Sequence, residues 1–133
     1  METIMRATLL IIENNTNIRN AIAEICASEG YDIEWTDNQE GALDLCRTVS
    51  FDAAVVNAEL PGVDGANLLK QLLCAQPEIK CLVTAISSED QANLIRWLKA
   101  SEHQRLLYLL ETFRKKDIVK TIRRLIQNSN EKG

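Results

Sequence analysis

Five short apolar runs alternate with five amphipathic stretches along almost the whole chain of 133 residues, and this alternation restricts the fold more than any other feature. Residues 8–12 are continuously apolar, as expected of a strand buried on both faces of a parallel sheet. Residues 17–28 follow with Ile18, Ala21, Ile22, Ile25 and Cys26 at helical spacing, and Gly30 supplies a stop. Residues 32–36 alternate polar and apolar side chains, the pattern of a half-exposed edge strand. A second helix is expected over 38–49, capped by Asp37 or Asn38. The third strand covers 52–56 and ends at Asn57; the loop behind it carries Pro61-Gly62 and Asp64-Gly65, both turn signals. A helix over 66–75, a strand over 80–83, a helix over 89–101, a strand over 106–110 and a helix over 117–127 complete the series.

Strand–helix alternation of this kind points to an α/β fold, a doubly wound five-stranded parallel sheet with helices on both faces. Ligands of such sheets lie at the carboxyl ends of the strands, which selects Glu13, Asn14, Asn57, Thr84 and Glu111 for scrutiny. The length fits one domain, 1–133, with a core over about 7–127 and a disordered tail over 128–133. No apolar run reaches the ~20 residues of a membrane span, and the start lacks the cleavage site of a signal peptide, so a cytoplasmic location is expected.

The four cysteines, Cys26, Cys46, Cys74 and Cys81, form no C-x-x-C pair and read as small reduced hydrophobes; with His103 the only histidine, a thiolate metal site is excluded. Charge is uneven. Residues 114–133 hold seven basic and two acidic side chains, a net +5, against a net −9 for residues 1–113. The last helix therefore offers a basic surface to an acidic partner, with Lys120, Arg123 and Arg124 lying off its apolar stripe.

Over residues 7–126 the chain resembles the receiver domains of two-component response regulators, a CheY-like, flavodoxin-like family with strand order 2-1-3-4-5. Residues 51–65 carry the most specific match, the third strand with its acceptor position and a Leu60-Pro61-Gly62-x-Asp64-Gly65 loop. Thr84-Ala85 after strand four, Tyr108 in strand five and Phe113 behind it match as well. The resemblance implies an aspartate that takes a phosphoryl group, an acidic pair that holds Mg²⁺ and a lysine that neutralises the phosphoryl charge. A Thr and an aromatic switch pair, Thr84 and Tyr108 here, then alters the face made by helix four, strand five and helix five, which engages another signalling protein.

Three of those positions depart from the family. The acceptor position holds Asn57, the acidic pair falls on Glu13-Asn14, and the lysine position falls on Glu111. An amide cannot act as the nucleophile of an acyl-phosphate. Mg²⁺ prefers carboxylate oxygens and finds one instead of several. An acid in place of the lysine turns attraction into repulsion, worth roughly 4 kcal/mol for unit charges ~4 Å apart at an effective dielectric of ~20. The segment between Thr84 and Tyr108 is also longer than the resemblance implies, and Ser101-Glu102-His103-Gln104 replaces the small pair expected before strand five.

The expectation is a non-enzymatic pseudo-receiver that works without phosphorylation or a cofactor, through a partner face including Trp97, Lys120, Arg123 and Arg124, with a homodimer as a further option. Trp97 reads equally as an interface anchor and as a side chain packed on the sheet. The alternative is a phosphorelay receiver that uses Mg²⁺ and accepts the phosphoryl group at a non-standard residue such as Glu13 or Glu59. A weak cation site of Glu13, Glu59 and Glu111 is the sharper reading of the acids at the mouth; loop capping is the plainer one. Flavin or nucleotide binding is not expected, since the loop Asn14-Asn15-Thr16 has no glycine to cradle a phosphate. Nucleic-acid binding is not expected either, because the body is acidic and no recognition helix is evident.

Overall fold

A computed structural model of the protein describes residues 6–100, 107–109 and 114–131, the side chains of 107–109 and 128–131 excepted. The elements run β1 (Thr8–Ile12), α1 (Thr16–Ser28), β2 (Asp32–Thr36), α2 (Gln39–Thr48), β3 (Ala53–Asn57), α3 (Gly65–Ala75), β4 (Lys80–Ala85), α4 (Ser88–Lys99), β5 (Leu107–Leu109) and α5 (Lys115–Glu131). All strand pairings are parallel, and the sheet order is β2-β1-β3-β4-β5, the doubly wound arrangement expected from the alternation. The strands of the centre are apolar on both sides because both sides are covered. Leu10, Ile12, Ala54, Val56, Cys81 and Val83 pack against α2, α3 and α4; Leu9, Ile11, Val55 and Leu82 pack against α1 and α5. At the sheet's end, β2 is the edge strand, but its burial does not alternate as its sequence does: Glu34 and Trp35 are both exposed and Thr36 is buried, with the Arg19 guanidinium 3.7 Å from the Trp35 ring centre.

Several boundaries fall elsewhere than the apolar pattern indicates. Asp64-Gly65 is not a turn but the start of α3: the Asp64 carboxylate caps the helix by accepting from the Asn67 N–H at 3.0 Å, and Gly65 is its first residue. β4 continues through Thr84 and Ala85, because the Ala85 carbonyl accepts from the Ala58 N–H at 2.8 Å and keeps the ladder closed. α4 ends at Lys99. α5 begins two residues before Asp117, its first turn closed by a bond from the Ile118 N–H to the Arg114 carbonyl and an Arg114–Asp117 ion pair of 2.9 Å. It then runs on to Glu131, so the tail expected from residue 128 begins inside a helix. Apolar periodicity ends with Ile126, and a helix can outrun the stripe that buries it.

One polar side chain that periodicity does not single out ties the α2–β3 connection to the end of α3. Gln76 accepts from the Phe51 N–H at 2.8 Å and donates to the carbonyls of Val49 at 2.6 Å and Cys46 at 3.2 Å. Of the cysteines, Cys26 and Cys81 are buried, and burial pushes their thiols up to about 11 and about 12. Cys46 is half-buried, and Cys74, expected among apolar neighbours, is exposed; all four are free.

Candidate functional site

The carboxyl ends of β1 and β3 bring Glu13 and Asn57 together at the mouth of the sheet. Glu13 follows the last residue of β1, is 3% exposed, and has its backbone N–H on the Thr36 carbonyl. One carboxylate oxygen, Oε2, accepts three hydrogen bonds: from the Asn14 N–H at 2.8 Å, the Asn15 N–H at 3.2 Å and the Asn57 side-chain Nδ2 at 2.9 Å. The other end of the Asn57 amide, Oδ1, accepts from the Glu59 N–H at 2.8 Å. An amide has both a donor and an acceptor and can satisfy the two neighbours at once; a carboxylate has acceptors only. Asn57 is therefore chemically matched to its position, and it joins β1, β3 and the loop beyond β3 in one chain of hydrogen bonds.

Local sequence explains the geometry. Asn15 caps α1, its side chain accepting from the Ile18 N–H at 3.0 Å, and this capped turn aims the N–H groups of Asn14 and Asn15 at Glu13. On the other side, Leu60-Pro61-Gly62-Val63 forms a tight turn closed by the Val63 N–H on the Leu60 carbonyl at 3.1 Å. Proline sets the second position, and Gly62 supplies the φ of +72° at the third. Gly65 then lies so close to the strand end that an added Cβ would sit 2.1 Å from the Ala58 carbonyl oxygen. The register also slips between Val56 and Asn57, so that Asn57 pairs with Ala85 and Thr84 lies beside the slip. The Thr84 hydroxyl donates to the Val56 carbonyl at 3.3 Å.

The remaining expected residues are placed as follows. Asn14 is exposed and serves the mouth through its backbone N–H. Glu59 is exposed and contributes its backbone N–H in the same way. Tyr108 is opposite Leu82 in the ladder, its side chain outside the description; Glu111, His103 and Phe113 lie outside the described residues. Among the described residues no three His, Cys, Asp or Glu side chains are grouped so as to hold a metal ion.

On the expected partner face, Trp97 is half-buried against the core that contains Leu94 and Leu98. Part of the ring packs, as one reading of the sequence expects, and part is accessible. Lys120, Arg123 and Arg124 are exposed on α5. Arg123, however, is committed within the chain. Its guanidinium binds the Glu29 carboxylate at the end of α1 through two contacts, Nη2–Oε2 being 3.1 Å, and this bond holds the Glu29 carboxyl below its ordinary range. Lys116, one turn before Lys120, takes its place in the outward stripe; its i−4 spacing from Lys120 is the signal that locates it. An open groove of about 750 Å³ runs along this basic face, with Lys116, Val119, Lys120 and Arg124 among its lining.

Comparison with known proteins places these features in context. The family model described as "Response regulator receiver domain" matches residues 9–123. The response regulator GacA of Pseudomonas aeruginosa is 29% identical over 84 residues, 62% of this chain and 39% of that protein. A response regulator receiver protein of Anaeromyxobacter sp. is 29% identical over 101 residues, 76% of this chain and 40% of its own length. The chain thus spans about two-fifths of the length of these curated relatives. Among solved structures, a CheY-like response regulator receiver domain protein from Methanospirillum hungatei superimposes with a TM-score of 0.82 at 19% identity, over 97% of this chain and 100% of that one.

Proposed function

Because the chain belongs to the response regulator receiver domain family of two-component signalling, we propose that it acts as a receiver whose signalling contacts do not depend on phosphorylation of the mouth. Receiver domains interact with other signalling proteins, and the face formed by α4, β5 and α5 is the one this chain uses. One observation carries the reading: the Asn57 amide spans Glu13 and the Glu59 N–H, with a donor aimed at the carboxylate and an acceptor aimed at the amide.

That arrangement supports the reading in two ways. Asn57 has no nucleophilic oxygen that could form an acyl-phosphate. The donor set also fits Mg²⁺ poorly, since the ion favours one or two accessible carboxylates. The one buried carboxylate here already takes three N–H donors on Oε2, and Asn57 turns a donor toward it. Signalling by this module therefore needs no metal ion, and its function rests on Trp97, Lys120 and Arg124.

Incubation with acetyl phosphate and Mg²⁺ followed by intact-mass measurement tests this directly. The proposal expects no adduct. A stable gain of one phosphoryl group, mapped to Glu13, Glu59 or another residue, would establish the phosphorelay alternative instead.

A further inference from the structure

The basic stripe of α5 has an acidic counterpart on the same molecule. Glu34 on β2 and Asp37 and Glu40 at the start of α2 are exposed, and no ion pair among the described residues uses any of them. Lys116, Lys120 and Arg124 on α5 are likewise exposed and form no ion pair among the described residues. The two patches lie on opposite layers. α2 packs with α3 and α4 on one face of the sheet and rests against β2, whose outer edge has no strand beyond it among the described residues. α5 packs with α1 on the other face. They cannot neutralise each other within one chain.

From this placement we propose that the occupant of the basic α5 face is the acidic β2–α2 edge of a second copy of this chain, joined head to tail. The proposal rests on the reading of α5 as a partner face and names the partner. Symmetry follows from geometry: a two-fold contact needs both patches on one surface, whereas patches on opposite layers give a heterologous contact that leaves each end free for another copy. Exposed ion pairs are individually weak and screened by salt, so the association is weak and favoured at low ionic strength. Val119, half-buried beside the cations, gives the contact an apolar centre.

Sedimentation velocity on the full chain tests this with two double variants, Lys120→Gln/Arg124→Gln and Glu34→Gln/Glu40→Gln. All four positions are exposed, and each variant is checked for native circular dichroism. The wild type is expected to show concentration-dependent growth at low salt, with an association constant at least about tenfold lower between roughly 20 and 300 mM salt. Each variant alone should stay monomeric, because one of the two complementary patches is missing. An equimolar mixture of the two should form a 1:1 dimer and stop there. A wild type that stays monomeric at low salt, a variant that associates as well as the wild type, or a mixture that grows past the dimer each overturns the proposal. The wider reading of α5 is tested separately: if Lys120→Gln/Arg124→Gln loses a partner captured from the native host while the wild type stays monomeric, α5 is a partner face and self-association is not its use, whereas a variant that keeps that partner overturns the wider reading.

Discussion

The mouth of the sheet and the outer face of α5 treat polar groups in opposite ways. At the mouth, Glu13 and both ends of the Asn57 amide are engaged inside the chain, by donors and acceptors 2.8 to 3.2 Å away. On α5, Lys116, Lys120 and Arg124 are exposed and unpaired among the described residues. A satisfied polar network has little left to offer a ligand, whereas like charges four residues apart on an exposed helix face repel one another weakly and attract a complement. In a receiver domain the first place is where a signal is written and the second where it is read. On the proposed reading, this chain keeps the reading surface and closes the writing one.

The largest effect that could break this contrast comes from Asn57→Asp. It sets a carboxylate about 2.9 Å from the Glu13 carboxylate. At an effective dielectric of ~20 that repulsion is roughly 6 kcal/mol, part of which is relieved by side-chain movement and proton uptake. A loss of about 3 kcal/mol at neutral pH is expected in urea unfolding without divalent cations. The loss should shrink on acidification or on addition of Mg²⁺, either of which removes the repulsion. No phosphorylation should appear in this variant alone; robust labelling would show that the mouth is one substitution from function.

Next in size is Gly65→Ala. The new Cβ meets the backbone oxygen of Ala58 at 2.1 Å, and no flexible side chain is there to yield. Such overpacking costs about 1–3 kcal/mol, read as a lower urea midpoint with unchanged slope. An unaffected midpoint would mean that α3 can slide away from β3, and that the mouth is looser than its hydrogen bonds indicate.

On α5 the same measurements should barely move. Lys120→Glu/Arg124→Glu is expected to stay within about 0.5 kcal/mol of wild type while abolishing partner capture. Arg123→Glu is different, because it also breaks the bond to Glu29 and so tests α1–α5 packing as much as binding. Smallest of all is the pH response of that pair. The Glu29 carboxyl is held below its ordinary range in the folded chain, so its contribution is present above the unfolded value and fades as pH falls through the folded one. An Arg123→Gln variant should therefore differ from wild type in melting temperature at neutral pH and converge with it in acid.

Much of this architecture could be read before any coordinates, and the reasons are local. Apolar runs such as Leu9 to Ile12 are buried on both faces, and that requirement is written in every side chain. The pairing of Glu13 with Asn57 was also accessible, since parallel order places both at strand ends. What periodicity could not supply was direction. Nothing in the chain's spacing says which end of the Asn57 amide faces Glu13, that Gln76 serves three backbone groups, or that Glu29 claims Arg123 from 94 positions away. The misread Asp64-Gly65 pair has the same origin: a cap and a turn use the same residue types, and only the Asn67 N–H decides between them.

On the proposed reading the mouth is occupied by its own side chains and does not transmit a phosphoryl signal to α4 and α5. Amide NMR spectra of the uniformly ¹⁵N-labelled protein, recorded before and after adding acetyl phosphate with Mg²⁺, test it most directly. The side-chain Nδ2 resonances of Asn57, the Glu59 N–H and the amides of α4 and α5 should all remain where they were. Displacement of the Asn57 and Glu59 signals together with shifts running through Thr84 into α4 would contradict the account.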